Sequence, residues 1–260
     1  MDLNIAGKNA LVCASSRGLG RACAEALAAE GVNVTINGIN AETLEKTAAE
    51  IRARFPSVKV TAVRADITTV EGREALLAAC ASPDILINNL AGPSPKKLME
   101  TNHEDWVAGL EATMIAPLML TQRVLPAMQE RRFGRIINIT SAMVTTPRSH
   151  QALSSGPRAG LTAVMKGLSL DVAKFNVTVN NLLPERLDTD RQKFMVERLV
   201  KLEGITAEQA RKKLEGTIPA GRFGAPAEFG AVCAFFCSAH SGFVTGMNIH
   251  LDGGAYPALI

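Results

Sequence analysis

The first residues able to do chemistry are Cys13-Ala14-Ser15-Ser16-Arg17-Gly18-Leu19-Gly20, where a short apolar strand runs into a glycine-bearing turn and a helix begins at once. That order builds an anion site. Backbone N–H groups and the positive end of the helix dipole face a pyrophosphate, and glycine lets the backbone approach it closely. A second observation is subtractive: the chain has a single tyrosine, Tyr256, close to its end. No tyrosine from the middle of this polypeptide can serve as an acid or base. None of the five cysteines forms a Cys-x-x-Cys pair. Cys233 and Cys237, four residues apart, share a helix face without any His or carboxylate cluster and read as core thiols. Such cysteine usage fits a reducing, cytoplasmic compartment.

The elements that must position the phosphate turn follow from hydrophobic periodicity. Short β-branched runs at Asn9–Cys13, Asn33–Asn37, Lys59–Val63, Ile85–Asn88, Arg135–Ile139, Thr178–Leu183 and Asn248–His250 read as strands. Between them Gly18–Glu30, Ala41–Arg54, Val70–Cys80, His103–Arg131, Leu161–Lys174 and Pro226–Cys237 read as helices. Strands with two apolar faces, alternating with helices, predict an α/β fold: a doubly wound, parallel, seven-stranded Rossmann sheet with helices on both faces. No linker or repeat interrupts the pattern, so residues 1–260 read as one domain. Residues 187–221 break the alternation with two charged helices, Arg191–Leu202 and Thr206–Leu214, the second with Thr206 as N-cap. Their position after the sixth strand predicts a helical lid over the ligand crevice.

Composition narrows the function classes. With 47% hydrophobic and 20% charged residues the chain is globular, and a net charge of +3, spread evenly, argues against a nucleic-acid partner. No apolar run approaches the roughly 20 residues that span a bilayer, which argues against a membrane partner.

Several of these elements resemble the short-chain dehydrogenase/reductase family. The turn at 13–20 is similar to that family's Thr-Gly-x-x-x-Gly-x-Gly loop, with Cys13 for Thr and Ala14 for the first Gly. Asp66-Ile67 matches its adenine-binding acid, Asn88-Asn89-Leu90-Ala91 its Asn-Asn-Ala-Gly element, and Pro184-Glu185-Arg186-Leu187-Asp188-Thr189 its Pro-Gly segment. The tail from Ile218-Pro219 through Thr245-Gly246 to Asp252-Gly253-Gly254 resembles its C-terminal signature. The nearest likeness is to the 3-oxoacyl-reductase-like branch. The resemblance implies an NAD(P)(H)-dependent oxidoreductase that interconverts a carbonyl and a secondary alcohol of a small molecule. It implies a nucleotide site of Ala14, Ser16, Arg17, Gly18, Leu19, Gly20, Asp66, Ile67, Asn89, Ala91, Arg158 and Thr189, and assembly as a homodimer or homotetramer. Gly38, Ile39 and Asn40 place no carboxylate after the second strand, and Arg17 can reach a 2′-phosphate, which favours NADP(H) over NAD(H).

The family's catalytic pattern is only partly present. Its carbonyl-polarising Ser corresponds to Ser141. Thirteen residues on, where the family has its proton-handling Tyr, stands Ser154; four further, for Lys, stands Arg158; the helper Asn falls on Thr113. An aliphatic hydroxyl is a far weaker acid than a phenol, and a guanidinium does not exchange its proton near neutrality. The proton therefore falls to Ser154 with a water, assisted by His150 on the intervening loop; Tyr256 of a neighbouring subunit is a further candidate. Arg148 and Gln151 belong at the cleft mouth. Ala14, Ala91 and Glu185 each replace a family Gly: alanine is accommodated where φ is negative, whereas Glu185 is a larger intrusion. These departures leave two rivals open, a silent partner subunit or dinucleotide sensor, and a non-redox lyase or isomerase that reuses Ser141.

Overall fold

The computed structural model describes residues 1–259. One seven-stranded, wholly parallel sheet runs through it in the order β3-β2-β1-β4-β5-β6-β7. The strands are β1 Asn9–Val12, β2 Asn33–Gly38, β3 Val60–Arg64, β4 Ile85–Asn88, β5 Gly134–Ile139, β6 Val177–Pro184 and β7 Asn248–Leu251. The helices are α1 Gly18–Ala29, α2 Ala41–Arg54, α3 Val70–Ala79, α4 His103–Leu110, α5 Ala116–Glu130, α6 Ala152–Val172, α7 Asp190–Glu203, α8 Ala207–Glu215 and α9 Pro226–Cys237.

Strand alternation sorts the apolar residues into two cores. Ala10, Val12, Val34, Ile36, Ile85 and Ile87 face α1, α2 and α9, where Cys23, Leu27, Leu44, Ile51, Phe229 and Cys233 pack against them. Leu11, Leu86, Ile136 and Val179 face the opposite layer, against Leu76 of α3, Val124 of α5 and Met165 of α6. The order in which successive strands are laid down reverses between β1 and β4, so a crevice opens beyond their carboxyl ends.

A row of asparagines, buried on three strands and exposed on the fourth, locks half of this sheet. Asn88 donates to Asn138 (2.9 Å), Asn138 to Asn181 (2.9 Å) and Asn181 to Asn248 (2.8 Å), one residue from each of β4, β5, β6 and β7. The four stand opposite one another in the strand register. A one-residue slip would break every bond in the row, so the ladder specifies register as well as stability.

Two helices differ from the sequence expectation. The stretch expected as one helix over 103–131 is interrupted at Glu111–Ile115 by a wide turn of π type, and α6 begins at Ala152 rather than Leu161. Pro117 sits in the first turn of α5, where little hydrogen bonding is lost, whereas Pro157 lies inside α6 and removes one backbone donor there. Over 187–221 the two expected helices are present as α7 and α8, and Thr206 caps α8 by accepting from the Gln209 N–H at 3.2 Å. They share a small core of Leu214, Ile218 and Phe223 with Met195, Val196 and Leu199.

Candidate functional site

Capping shows where the chain keeps its polar backbone open. Asn40, Thr69, Asn102 and Thr206 close the N-termini of α2, α3, α4 and α8 with side-chain hydrogen bonds. The N-termini of α1, α6 and α7 have no side-chain cap, and all three open on one cleft of about 740 Å³ at the carboxyl end of the sheet. Uncapped N–H groups there are donors for a ligand anion.

The nucleotide half of this cleft is walled by Ala14, Ser16, Arg17, Gly18, Leu19, Gly38, Ile39, Asp66, Ile67, Asn89 and Ala91. The turn is held rigidly from beneath. Ser15 Oγ donates to the Val12 carbonyl (2.6 Å) and accepts from Asn37 N–H (2.9 Å). Asn37 Oδ1 accepts from Ala14 N–H (3.2 Å), Asn89 Nδ2 donates to the Ala14 carbonyl (3.1 Å), and Thr47 Oγ1 donates to Ser16 O (2.7 Å). Asn37 and Thr47 escaped the sequence reading; their signal is a polar residue at the end of an apolar strand and another on a buried helix face. Gly18 adopts φ +60°, and a Cβ on Gly20 would lie 2.4 Å from the Ala14 carbonyl and 2.8 Å from Asn89. Gly20 is thus a packing glycine beneath the turn, outside the cleft lining. This tight turn with open donors fits a dinucleotide's phosphates.

Ala14 corrects the expectation that alanine sits there at negative φ. Its φ is +42°, in the left-handed region, and the clamp from Asn37 and Asn89 holds it there against its own preference. Glu185 is tolerated without such strain, because the positive φ of that segment falls on Arg186 (+54°). Asp66 is exposed, and its Oδ1 accepts from the backbone and hydroxyl of Thr68 at 3.0 and 2.7 Å. The side chain of Arg17 is 75% exposed and lies 3.9 Å from Asp190. Arg64, which no sequence argument singled out, folds from β3 onto the carbonyl of Ile39 at 3.2 Å. The parallel register puts Arg64 beside Gly38, which is a tertiary fact.

The other half of the cleft holds Ser141, Ser154, Arg158, Arg148, Gln151, Thr189 and the α7 residues Arg191, Phe194 and Met195. Ser141 stands just beyond β5, and its Oγ accepts from the Met143 N–H at 3.2 Å, leaving the hydroxyl proton as a donor. Ser154, on the first turn of α6, accepts from Arg158 Nε at 3.3 Å. Arg158 is 7% exposed. Its Nη1 donates to the carbonyls of Ile139 (2.8 Å) and Thr140 (3.0 Å), and Nη2 to Leu90 (3.4 Å). Every acceptor is neutral. Burial, and then the nearby Arg191, push the guanidinium down to about 10, so it remains a cation at neutral pH.

Two expectations shift here. His150 is not among the cleft walls; it lies outside them, and burial followed by Arg198 and Arg148 lowers its proton affinity. Thr113 is buried, and its hydroxyl is spent on the Gly109 carbonyl at 2.7 Å within the π turn. Tyr256 stacks on His250 with ring centroids 4.2 Å apart and is likewise no part of the cleft lining. A second crevice of about 650 Å³ between α1 and α9 shares Gly18, Thr189 and Asp190 with the cleft but none of its serines. Among the described residues no helix is long and apolar enough to cross a membrane, and no cluster of three or more His, Cys, Asp or Glu could hold a metal.

Comparison with known proteins places this geometry. The family described as enoyl-(acyl carrier protein) reductase matches residues 13–256. The 3-oxoacyl-[acyl-carrier-protein] reductase FabG of Aquifex aeolicus is 32% identical over 260 residues, covering 98% of this chain and 100% of its own. The NADPH-dependent reductase BacG of Bacillus subtilis is 30% identical, covering 97% and 99%. Among solved structures, L-sorbose reductase from Gluconobacter frateurii, complexed with NADPH and L-sorbose, superposes with a TM-score of 0.94 at 28% identity over 100% of both chains.

Proposed function

We propose, from the premise that the chain belongs to the short-chain dehydrogenase/reductase family in its 3-oxoacyl-reductase-like branch, that it is an NADP(H)-preferring oxidoreductase with an unusual route for the proton. The observation that carries this reading is Ser141 with its hydroxyl proton available, in the same cleft as a rigid, uncapped phosphate turn. A nicotinamide nucleotide, when bound, supplies or takes up the hydride at the carbonyl carbon. Ala14, Ser16, Gly18 and Leu19 would hold its phosphates, Asp66 and Ile67 its adenine, and Asn89, Ala91 and Thr189 the nicotinamide side. Arg17 and Arg64 favour a 2′-phosphate, since no carboxylate stands between Gly38 and Asn40 to repel one. Two relatives described with NADPH support the same preference.

Ser141 donates to the substrate oxygen and polarises it. Arg158 keeps a fixed charge behind Ser154, so developing negative charge on that oxygen is stabilised even where proton delivery is poor. Ser154 passes the proton through a water, because its side chain is shorter than the family's phenol by a ring. Helices α7 and α8 act as the lid, with Phe194 and Met195 as its apolar underside. Homodimers or homotetramers are the proposed assembly.

One observation favours a rival: with Thr113 committed to Gly109, the relay is depleted, as a silent nucleotide-sensing subunit requires. Fluorescence titration followed by a carbonyl panel separates the two. NADPH is expected to bind more tightly than NADH, and Ser141→Ala to lower kcat about 10²–10³-fold with NADPH affinity unchanged. Tight nucleotide binding without turnover of any carbonyl or alcohol overturns the redox reading in favour of the sensor.

A further inference from the structure

We propose that the substrate carries a carboxylate on the same small molecule as its carbonyl, held by Arg191 at the lid side of the cleft. The proposal rests on the oxidoreductase reading above and adds the substrate class. Arg191 is exposed on the first turn of α7 and reaches across to the opposite wall, its Nη2 3.5 Å from the Pro93 carbonyl and its guanidinium stacked over Phe194 at 5.5 Å. Arg158 lies on the floor below with neutral acceptors only. Arg198 follows seven residues along α7, on the same helix face as Arg191.

On the other rim Arg148 and Arg186 share one carboxylate, Glu185, at 3.3 Å each. Asp190, the acid next to Arg191, turns to Arg17 (3.9 Å) and Lys193 (3.0 Å). Among the described residues five guanidiniums in and beside this half of the cleft therefore stand against two carboxylates, Glu185 and Asp190, both already paired. The crowding is felt: burial and then Arg198 lower the proton affinity of Arg191, and burial and then Arg191 lower that of Arg158. Cations that repel one another around a ligand space are relieved by an anion entering it, and a guanidinium suits a carboxylate geometrically.

The test uses the full chain saturated with NADP⁺ or NADPH and short 2-, 3- and 4-oxo acids and the matching hydroxy acids, each paired with its methyl ester. Binding of hydroxy acids and esters to the NADP⁺ complex is read by calorimetry, and kcat/KM of oxo acids and esters with NADPH by steady-state kinetics. At least one acid is expected to bind about tenfold or more better than its ester, the scale of one charge-assisted hydrogen bond, and to be turned over with the same preference. Arg191→Gln, on an exposed position, is expected to erase most of that ratio while NADPH affinity holds. Esters that match acids throughout, or an Arg191→Gln variant that weakens NADPH binding and leaves the acid-to-ester ratio intact, overturn the proposal. If acids outbind esters but no carbonyl is reduced, the carboxylate site stands and the redox reading fails.

Discussion

Returning a phenol to position 154 isolates what its loss costs. With Gly92, which carries no side chain, close by, Ser154 lines the cleft of about 740 Å³, the space that a tyrosine ring at 154 would enter. Its hydroxyl would work near Arg158, whose charge persists because its pKa, though lowered, is about 10. Positioned acid–base catalysis contributes about 10²–10⁴ in rate, or about 3–5 kcal/mol of barrier. Ser154→Tyr is expected to raise kcat for carbonyl reduction toward that range, measured as NADPH consumption with the best substrate of the panel. The pH profile supplies the sign. Arg158 favours the phenolate and holds the phenol below its usual value of about 10. Reduction needs the protonated phenol, so kcat of the variant falls as pH rises through that lowered pKa, a limb absent from the wild type. Unaltered kcat and an unaltered pH profile, with NADPH binding intact, would refute the assignment of proton delivery as the impaired step.

Three further outcomes follow from the geometry. Ala14→Gly releases a left-handed alanine and is expected to stabilise the fold by about 1 kcal/mol, read as a rise in Tm of about 2–4 °C; a lower Tm would show that the clamp from Asn37 and Asn89 imposes no strain. Gly20→Ala drives a Cβ to 2.4 Å from the Ala14 carbonyl and is expected to cost about 1–3 kcal/mol in urea unfolding and to abolish NADPH fluorescence enhancement. Asn138→Ala cuts the ladder on both sides, stranding Asn181 Oδ1 and leaving Asn88 Nδ2 with Thr121 Oγ1 as its remaining acceptor. A loss of about 1–3 kcal/mol is expected for the one stranded group, and a loss well under about 1 would mean that the row is cosmetic.

Much of this was legible in the residues. The seven strands came from β-branched runs, the glycine turn from Gly18 and Gly20 before a helix, and helices α7 and α8 from charged periodicity with Thr206 as cap. The ends of elements were less so, because helix α6 starts on Ala152-Leu153-Ser154-Ser155, whose propensity is unremarkable until Arg158 and the β5 carbonyls tie it down. The π turn at 111–115 has no pattern of its own; it shows only as the back-bond of Thr113 to Gly109.

Residue identity alone determined that no mid-chain phenol is present, that Ser141, Ser154 and Arg158 stand at the family's catalytic spacing, and that the β2 end lacks an acid. Tertiary structure decided the rest: that Ala14 is left-handed, that Arg64 neighbours Gly38, that Arg158 donates to neutral carbonyls and that His150 lies outside the cleft. The physical reason is range. Helix, strand and turn preferences act over a few adjacent residues, whereas a backbone clamp, a cross-strand neighbour or a crowd of cations around one cleft exists only once distant segments have packed against one another.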